Sequence, residues 1–266
     1  EHLVLATPDN GVATAIYAAC KATVKVGDGK EITLHEETNY PFEEAIAFTV
    51  STGEKVAFPF YLRIPSWTQK AEVRVNGKKV SAAPVAGKYL CINREWANGD
   101  RVELTLPMSL SMRTWQVNKN SVSVDYGPLT LSLKIAEKYV EKDSRETAIG
   151  DSKWQKGADS KKWPTTEIYP DSPWNYSLVL DKKEPLKNFK VIRKSWPADN
   201  YPFTATSVPL EVKAIGRPVP EWKIDETGLC GVLPEEDAVK GDKEEITLIP
   251  MGAARLRISA FPNTKE

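Results

Sequence analysis

The chain has 266 residues with 36 basic and 36 acidic side chains, so its formal net charge at pH 7 is zero. A chain without net charge has no long-range positive field, which binding to nucleic acid or to an anionic membrane would use. No apolar run approaches the 18 residues that a membrane-spanning helix needs. Proline (19) and glycine (15) are abundant, and no window keeps a 3.6-residue period. Short alternating runs between turn formers predict an all-β protein, and neutral polar partners such as sugars stay compatible with the charge.

Residues 1–112 are predicted to form a first antiparallel, jelly-roll-like β-sandwich. Turn signals recur about every ten residues, as a sandwich of short strands requires. The strands predicted before the central block are Val12–Ala19, Thr23–Val26, Glu31–His35 and Ala45–Val50.

The block Phe58–Met108 carries the strongest pattern in the chain. Apolar residues occupy every second position from Phe58 to Ile64, which is the period of a half-buried strand. Asn76-Gly77 then predicts a tight hairpin, because both turn residues must accept a positive φ. A later Asn98-Gly99-Asp100 turn leads into a further alternating strand.

Residues 113–266 are predicted to form a second sandwich with long loops. From Glu137 to Lys162 charged and small residues dominate, which predicts a long surface excursion. The alternation of Leu256, Ile258 and Ala260 predicts a final strand, and the pattern leaves open whether this last part, about 246–261, returns to the first sandwich. The other strands predicted here are Leu129–Ile135, Ser177–Leu180, Phe189–Ile192, Pro209–Ile215 and Ile246–Ile249.

No catalytic or metal-binding residue is predicted. Adjacent carboxylates such as Glu36-Glu37 would point to opposite faces of a strand, so they could not face each other across a glycosidic bond as the two catalytic carboxyl groups of a glycosidase do. We therefore predict that these side chains are charged groups exposed to solvent. His2 and His35 have no triad partner that the sequence can place, and no phosphate-binding loop or zinc-protease motif is present. The three cysteines, Cys20, Cys91 and Cys230, form no C-x-x-C pair, and the strand pattern around Cys91 predicts a buried or sheet-surface thiol there.

The tryptophans are the candidates for ligand binding. An indole face on a loop can stack on the apolar face of a sugar ring, and Trp154, Trp163 and Trp222 are the predicted sugar-binding residues. The alternative is that each covers core or holds a long loop, which is the preferred interpretation for Trp67 and Trp96.

The motifs FPFYLRIPSW, VRVNGK and REWANGDRVELTLPM resemble the C-terminal part of bacterial β-L-arabinofuranosidases of glycoside hydrolase family 127 and their uncharacterised relatives. HLVLATPDNGVATAIY, WPADNYPFTATSVPLEVKAIGRPVPEW and ITLIPMGAARLRISAFP agree, so the resemblance covers nearly the whole chain. SVDYGPLTLSL departs from the family text, since Tyr126 stands where the family has arginine before Gly127.

The resemblance implies a parent glycoside hydrolase, with an N-terminal (α/α)₆ barrel that holds the active site and any zinc. The barrel ends in a Cys-Cys motif that would lie upstream of Glu1. Because the cysteines here match none of its ligands, no catalytic residue and no cofactor are expected in this chain, and whether it is itself an enzyme stays open. The expected role is a non-catalytic accessory region that packs against the barrel.

Two alternatives stay open. One is an autonomous carbohydrate-binding module that recognises plant glycans. The other is an interaction surface for the barrel or for a second copy in a homodimer. By family analogy, the expected location is periplasmic or secreted.

Overall fold

The structure is a computed structural model that describes residues 3–144, 159, 161–235 and 239–266. The chain divides into two compact units. The first comprises Glu1–Ser111 with Asp125–Leu129, and the second comprises Met112–Val124 with Thr130–Glu266. The all-β class is confirmed, with several sheets in a sandwich-like arrangement.

The first unit contains a four-stranded and a six-stranded sheet. The four-stranded sheet has the order β1-β2-β6-β9 and the six-stranded sheet the order β3-β4-β5-β10-β7-β8. Their bounds are β1 Val4–Ala6, β2 Val12–Thr14, β3 Cys20–Val26, β4 Lys30–Thr38, β5 Ala45–Thr52, β6 Val56–Arg63, β7 Glu72–Val75, β8 Lys78–Lys79, β9 Tyr89–Trp96 and β10 Arg101–Thr105.

The core of this unit follows the alternation predicted for β6. Phe58, Phe60 and Leu62 are all buried, and Trp96 at the end of β9 packs against both phenylalanines with ring centroids 5.7 and 5.9 Å apart. The Trp96 indole Nε1 also donates to the carbonyl of Phe58 at 3.0 Å, so this large ring leaves no buried donor unpaired. One prediction needs correction, because β2 and β6 pair in parallel and the sheet is therefore mixed.

The hairpin predicted at Asn76-Gly77 is confirmed, with φ of 51° and 77° between β7 and β8. The Asn76 amide also connects two turns. Its Nδ2 donates to Asp100 Oδ1 at 2.7 Å, and its Oδ1 accepts from the backbone N–H of Arg101 at 2.8 Å. The β7–β8 hairpin turn and the turn between β9 and β10, which connects the two sheets, are thereby held together by side-chain hydrogen bonds.

The second unit is organised around an eight-stranded sheet. Its order is β11-β12-β13-β19-β18-β16-β20, with β17 paired to β18, while β14 and β15 form a separate two-stranded ribbon. The bounds are β11 Leu110–Trp115, β12 Ser121–Tyr126, β13 Leu129–Leu133, β14 Glu137–Lys142, β15 Thr165–Pro170, β16 Tyr176–Leu180, β17 Lys190–Arg193, β18 Leu210–Pro218, β19 Glu244–Pro250 and β20 Asn263–Lys265.

Two sequence predictions for this unit were wrong. The polar excursion begins with a strand, since β14 pairs with β15 from Glu137↔Pro170 to Lys142↔Thr165. The ribbon was not predicted because its strands do not alternate between buried and exposed residues. The predicted strand Arg255–Phe261 is irregular apart from one bridge between Val122 and Phe261, and regular pairing resumes only in β20. Within the described ranges, no helix is long and apolar enough to cross a bilayer.

Candidate functional site

The structure does not bring the three predicted tryptophans together. Trp163 precedes β15 and is 67% exposed, while its carbonyl accepts a hydrogen bond from Ser144 Oγ at 2.9 Å. Trp222 is only 3% exposed, and its Nε1 donates to the carbonyl of Gly231 at 3.0 Å. Its ring is therefore unavailable for stacking on a sugar. Trp154 lies outside the described residues. Of the predicted set, Trp163 alone is both described and exposed.

The carboxylate of Glu36 is buried, where the sequence predicted solvated charge. Glu36 lies on the inner side of β4 with 1% of its surface exposed. Its Oε1 accepts from the backbone N–H of Ala18 at 3.0 Å, and its Oε2 lies 3.8 Å from Cys20 Sγ. Burial raises the pKa of Glu36 to about 7, because the charged form loses its hydration.

Glu36 and Glu37 do point to opposite faces of β4, as predicted from strand geometry. The exposed Glu37 carboxylate lies 3.4 Å from Arg101 on the outer face of the six-stranded sheet. The pair therefore cannot flank one glycosidic bond. In the part of the chain that the structure describes, no group of three His, Cys, Asp or Glu side chains could hold a metal ion.

The outer face of the six-stranded sheet is an open, charged cleft of about 520 Å³. Its floor includes the small side chains of Ala45 and Ala47 in β5. Arg101 lies between Glu37 and Glu103, at 3.4 and 3.5 Å, so part of the negative charge of this face is compensated within the sheet. This cleft could not be predicted from the sequence, because most of its lining residues come from four strands. They become neighbours only through the register in which those strands pair.

The outer face of the four-stranded sheet has an apolar row across its middle, and Arg63 and Glu95 project from the same face at either side of it. One side chain from each strand contributes to a row that crosses the sheet: Leu5, Ala13, Tyr61 and Cys91. Tyr89, two residues before Cys91 in β9, lies on the same face and is 50% exposed, and Ile16, two residues after the end of β2, is 53% exposed. Soluble proteins rarely expose such a contiguous apolar surface unless another surface covers it. We refer to these six residues as the apolar row.

Comparison with known proteins assigns a family to the first unit. Residues 11–108 match the sequence model of the β-L-arabinofuranosidase GH127 middle domain. The chain is GH127-like. The resemblance inferred from the sequence motifs is thereby confirmed at the family level, and the matched residues span β2 to β10, which include both sheets of the first unit. No curated protein matches this GH127-like chain.

Solved structures extend the likeness to both units. A GH127 β-L-arabinofuranosidase from Geobacillus stearothermophilus aligns over 98% of the chain with a TM-score of 0.63 and 21% identity. A second GH127 β-arabinofuranosidase aligns over 97% with a TM-score of 0.61 and 23% identity, and a glycoside hydrolase over 96% with 0.60 and 22%. At these identities the likeness establishes the fold. The GH127-like chain covers only 35–36% of the length of these proteins.

Proposed function

We propose that this chain is the non-catalytic β-sandwich portion of a longer glycoside hydrolase related to β-L-arabinofuranosidases, and that it packs against that enzyme's N-terminal catalytic barrel. The observation that carries the proposal is the match of residues 11–108 to the GH127 middle domain, together with relatives nearly three times as long as the chain. In such a parent the hydrolysis of arabinofuranosides, and any zinc it needs, belong to the barrel.

The apolar row supplies the physical support for a packing role. The outer face of the six-stranded sheet carries mainly charged side chains. On the side of the four-stranded sheet, Leu5, Ile16 and Tyr89 are exposed to solvent. Because these side chains are already about half-buried, covering them with a partner would gain on the order of 1 kcal/mol for each. We therefore assign the four-stranded sheet as the face that the barrel covers.

A direct test is an activity assay of the 266-residue chain on aryl β-L-arabinofuranosides, with and without added zinc. No turnover above background is expected, and the full-length parent serves as the positive control. Zinc-dependent turnover by this chain alone would contradict the non-catalytic role.

The packing role is tested with charge placed on the apolar row. Ile16→Lys is expected to lower the melting temperature of the full-length parent and to leave that of the 266-residue chain unchanged, because Ile16 is exposed here and covered there. Ser51→Lys, on the exposed outer face of β5, is the matched control. Equal effects of Ile16→Lys in both proteins would show that this face is not covered.

The second candidate is an autonomous carbohydrate-binding module that uses Trp163. Its exposure, at 67%, favours this reading over a core role for that residue. Titration with plant arabinan should then show binding that Trp163→Ala abolishes. Val117→Ala, at a fully exposed position of the same unit, is the control. Binding that survives in Trp163→Ala, or no binding by the unmodified chain, removes this candidate.

A further inference from the structure

Two clefts in the second unit share part of their lining, and neither proposed function uses them. One cleft of about 280 Å³ is mainly apolar, and the other of about 640 Å³ carries hydroxyl groups. Ile135 and Arg255 line both, so Arg255 stands at their junction. We call them the apolar cleft and the hydroxyl cleft.

The charged groups that line the apolar cleft are both basic. Arg255 and Arg257 line this cleft, and none of the described residues lining it is acidic. Arg257 is held in place by a hydrogen bond from its Nε to the carbonyl of Ala254, at 2.8 Å. A cleft of low polarity with two cations and no lining carboxylate favours an anionic ligand, because the ligand's charge would be compensated on entry.

Arg255 is oriented before any ligand arrives. Its guanidinium lies over the ring of Tyr139, 5.4 Å from the centroid, and the Tyr139 hydroxyl donates to Glu137 Oε2. The other oxygen of Glu137 accepts from the backbone N–H of Arg255 at 3.3 Å. Glu137 lines the hydroxyl cleft together with Lys134, and its carboxylate is already engaged by a hydroxyl and a backbone amide. The stacking on Tyr139 restrains the Arg255 guanidinium.

The wall of the apolar cleft is aromatic and rigidly supported. Trp174 lines the cleft and packs edge-on against the buried Trp222, with ring centroids 5.2 Å apart. Asn175 Nδ2 donates to the carbonyls of Val219 and Trp222 at 3.0 and 3.1 Å, which fixes the backbone behind the indole. A wall that is already fixed does not have to be ordered when a ligand binds, which lowers the entropic cost of binding.

We propose that this surface binds a ring-shaped carboxylate, with the ring against Trp174 and the carboxylate on Arg255 and Arg257. Guanidinium groups suit carboxylates because two parallel N–H groups can match both oxygens. The hydroxyl cleft adds Thr204, Thr206 and Ser172 beside the junction, where they face polar substituents of the ring. Two sources share this chemistry, a uronic acid of a polysaccharide and an aryl carboxylate. The proposal uses residues of the second unit alone and does not depend on the proposed function.

The exposed thiol of Cys230 lines the apolar cleft and reports its occupancy. The probes are galacturonate and 4-hydroxycinnamate, each against its neutral counterpart, galactose or 4-hydroxycinnamyl alcohol. The rate of Cys230 alkylation by N-ethylmaleimide, followed by peptide mass spectrometry, should fall about tenfold at ten times the dissociation constant of the acid that binds. The equally exposed Cys91 of the first unit is the internal control and should react at an unchanged rate.

Variants of the arginines decide whether charge carries the binding. Arg255→Gln and Arg257→Gln should each weaken binding of the protecting acid at least about tenfold, as expected for loss of a charge-assisted hydrogen bond. Arg193→Gln, which removes the same charge from β17 outside both clefts, should bind as the unmodified chain does. Arg255→Lys keeps the charge and tests the need for a planar group if Arg255→Gln proves unstable. Protection of Cys230 by neither acid, or equally by the neutral counterparts, overturns the proposal.

Discussion

The hydroxyl of Ser132 in β13 forms two hydrogen bonds with the backbone of Ile258. Its Oγ accepts from the Ile258 N–H at 3.0 Å and donates to the Ile258 carbonyl at 3.2 Å. The backbone N–H of Leu133 donates to that same carbonyl at 2.9 Å. A single buried side chain thereby takes the place of a strand ladder, and it joins segments that are 126 residues apart in the sequence.

Removal of this hydroxyl should destabilise the chain. Ser132→Ala leaves the buried N–H of Ile258 without its partner, which is expected to lower the free energy of unfolding by about 1–3 kcal/mol. Denaturant unfolding measures the change. Ser177→Ala is the matched control, because the Ser177 hydroxyl is equally buried and has no hydrogen-bond partner among the described residues. That variant should be neutral or stabilising, and equal losses in both would contradict the assignment.

Burial of Glu36 predicts a pH dependence of stability. Its pKa in the folded chain is about 7, above the ordinary value of 4.5. Between these values the folded chain keeps a proton that the unfolded chain releases. The free energy of unfolding should therefore fall as the pH rises from about 4.5 to about 7, by up to about 3 kcal/mol, and then level off. Chemical denaturation across this pH range measures the profile.

Glu36→Gln should remove that fall, since the amide keeps an acceptor for the Ala18 N–H and does not titrate. Glu37→Gln, on the exposed face of the same strand, should retain it. A wild-type profile in Glu36→Gln would assign the dependence to other groups.

Trp96 is expected to be among the most sensitive positions of the first unit. Its side chain is fully buried between Phe58 and Phe60, so Trp96→Ala should cost about 3–5 kcal/mol in the free energy of unfolding. Trp96→Phe keeps an aromatic ring but removes the donor to the Phe58 carbonyl, and a smaller loss is expected. Calorimetry of both variants tests whether Trp96→Ala destabilises the chain more than Trp96→Phe does. An equal loss of stability in the two variants would contradict this prediction.

A substitution in the Asn76-Gly77 hairpin can test the energetic cost of a positive φ separately from any steric clash. A Cβ on Gly77 would meet no atom within 4 Å, yet its φ of +77° is strained for any residue with a side chain. Gly77→Ala should therefore lower the free energy of unfolding by about 1 kcal/mol. Gly53→Ala also adds a methyl group to open space, but without a positive φ. Thermal unfolding should show no loss for Gly53→Ala, and similar losses in both would point to a cause other than backbone strain.

Where one face of a strand is buried, the sequence pattern identified the strand correctly. The alternation from Phe58 to Ile64 predicted β6 because every second side chain enters a dry core, and the turn at Asn76-Gly77 was predicted because few residues accept a positive φ. The ribbon of β14 and β15 escaped because it is held by cross-strand pairs without a buried face. The predicted strand around Ile258 failed because Ser132 supplies its hydrogen bonds.

The all-β class, the main strands of the first unit and the resemblance to GH127 could be predicted from the sequence, since these depend on local alternation and on contiguous motifs. Which groups share a site became visible only in the folded chain. In the folded chain Glu36 and Trp222 are buried and Trp163 is exposed, Arg255 stacks on Tyr139, and Arg257 and Trp174 line one cleft. Local periodicity fixes which way a side chain points from its own strand. Its neighbours across the sheet depend on register and loop closure over a hundred or more residues, which no local pattern encodes.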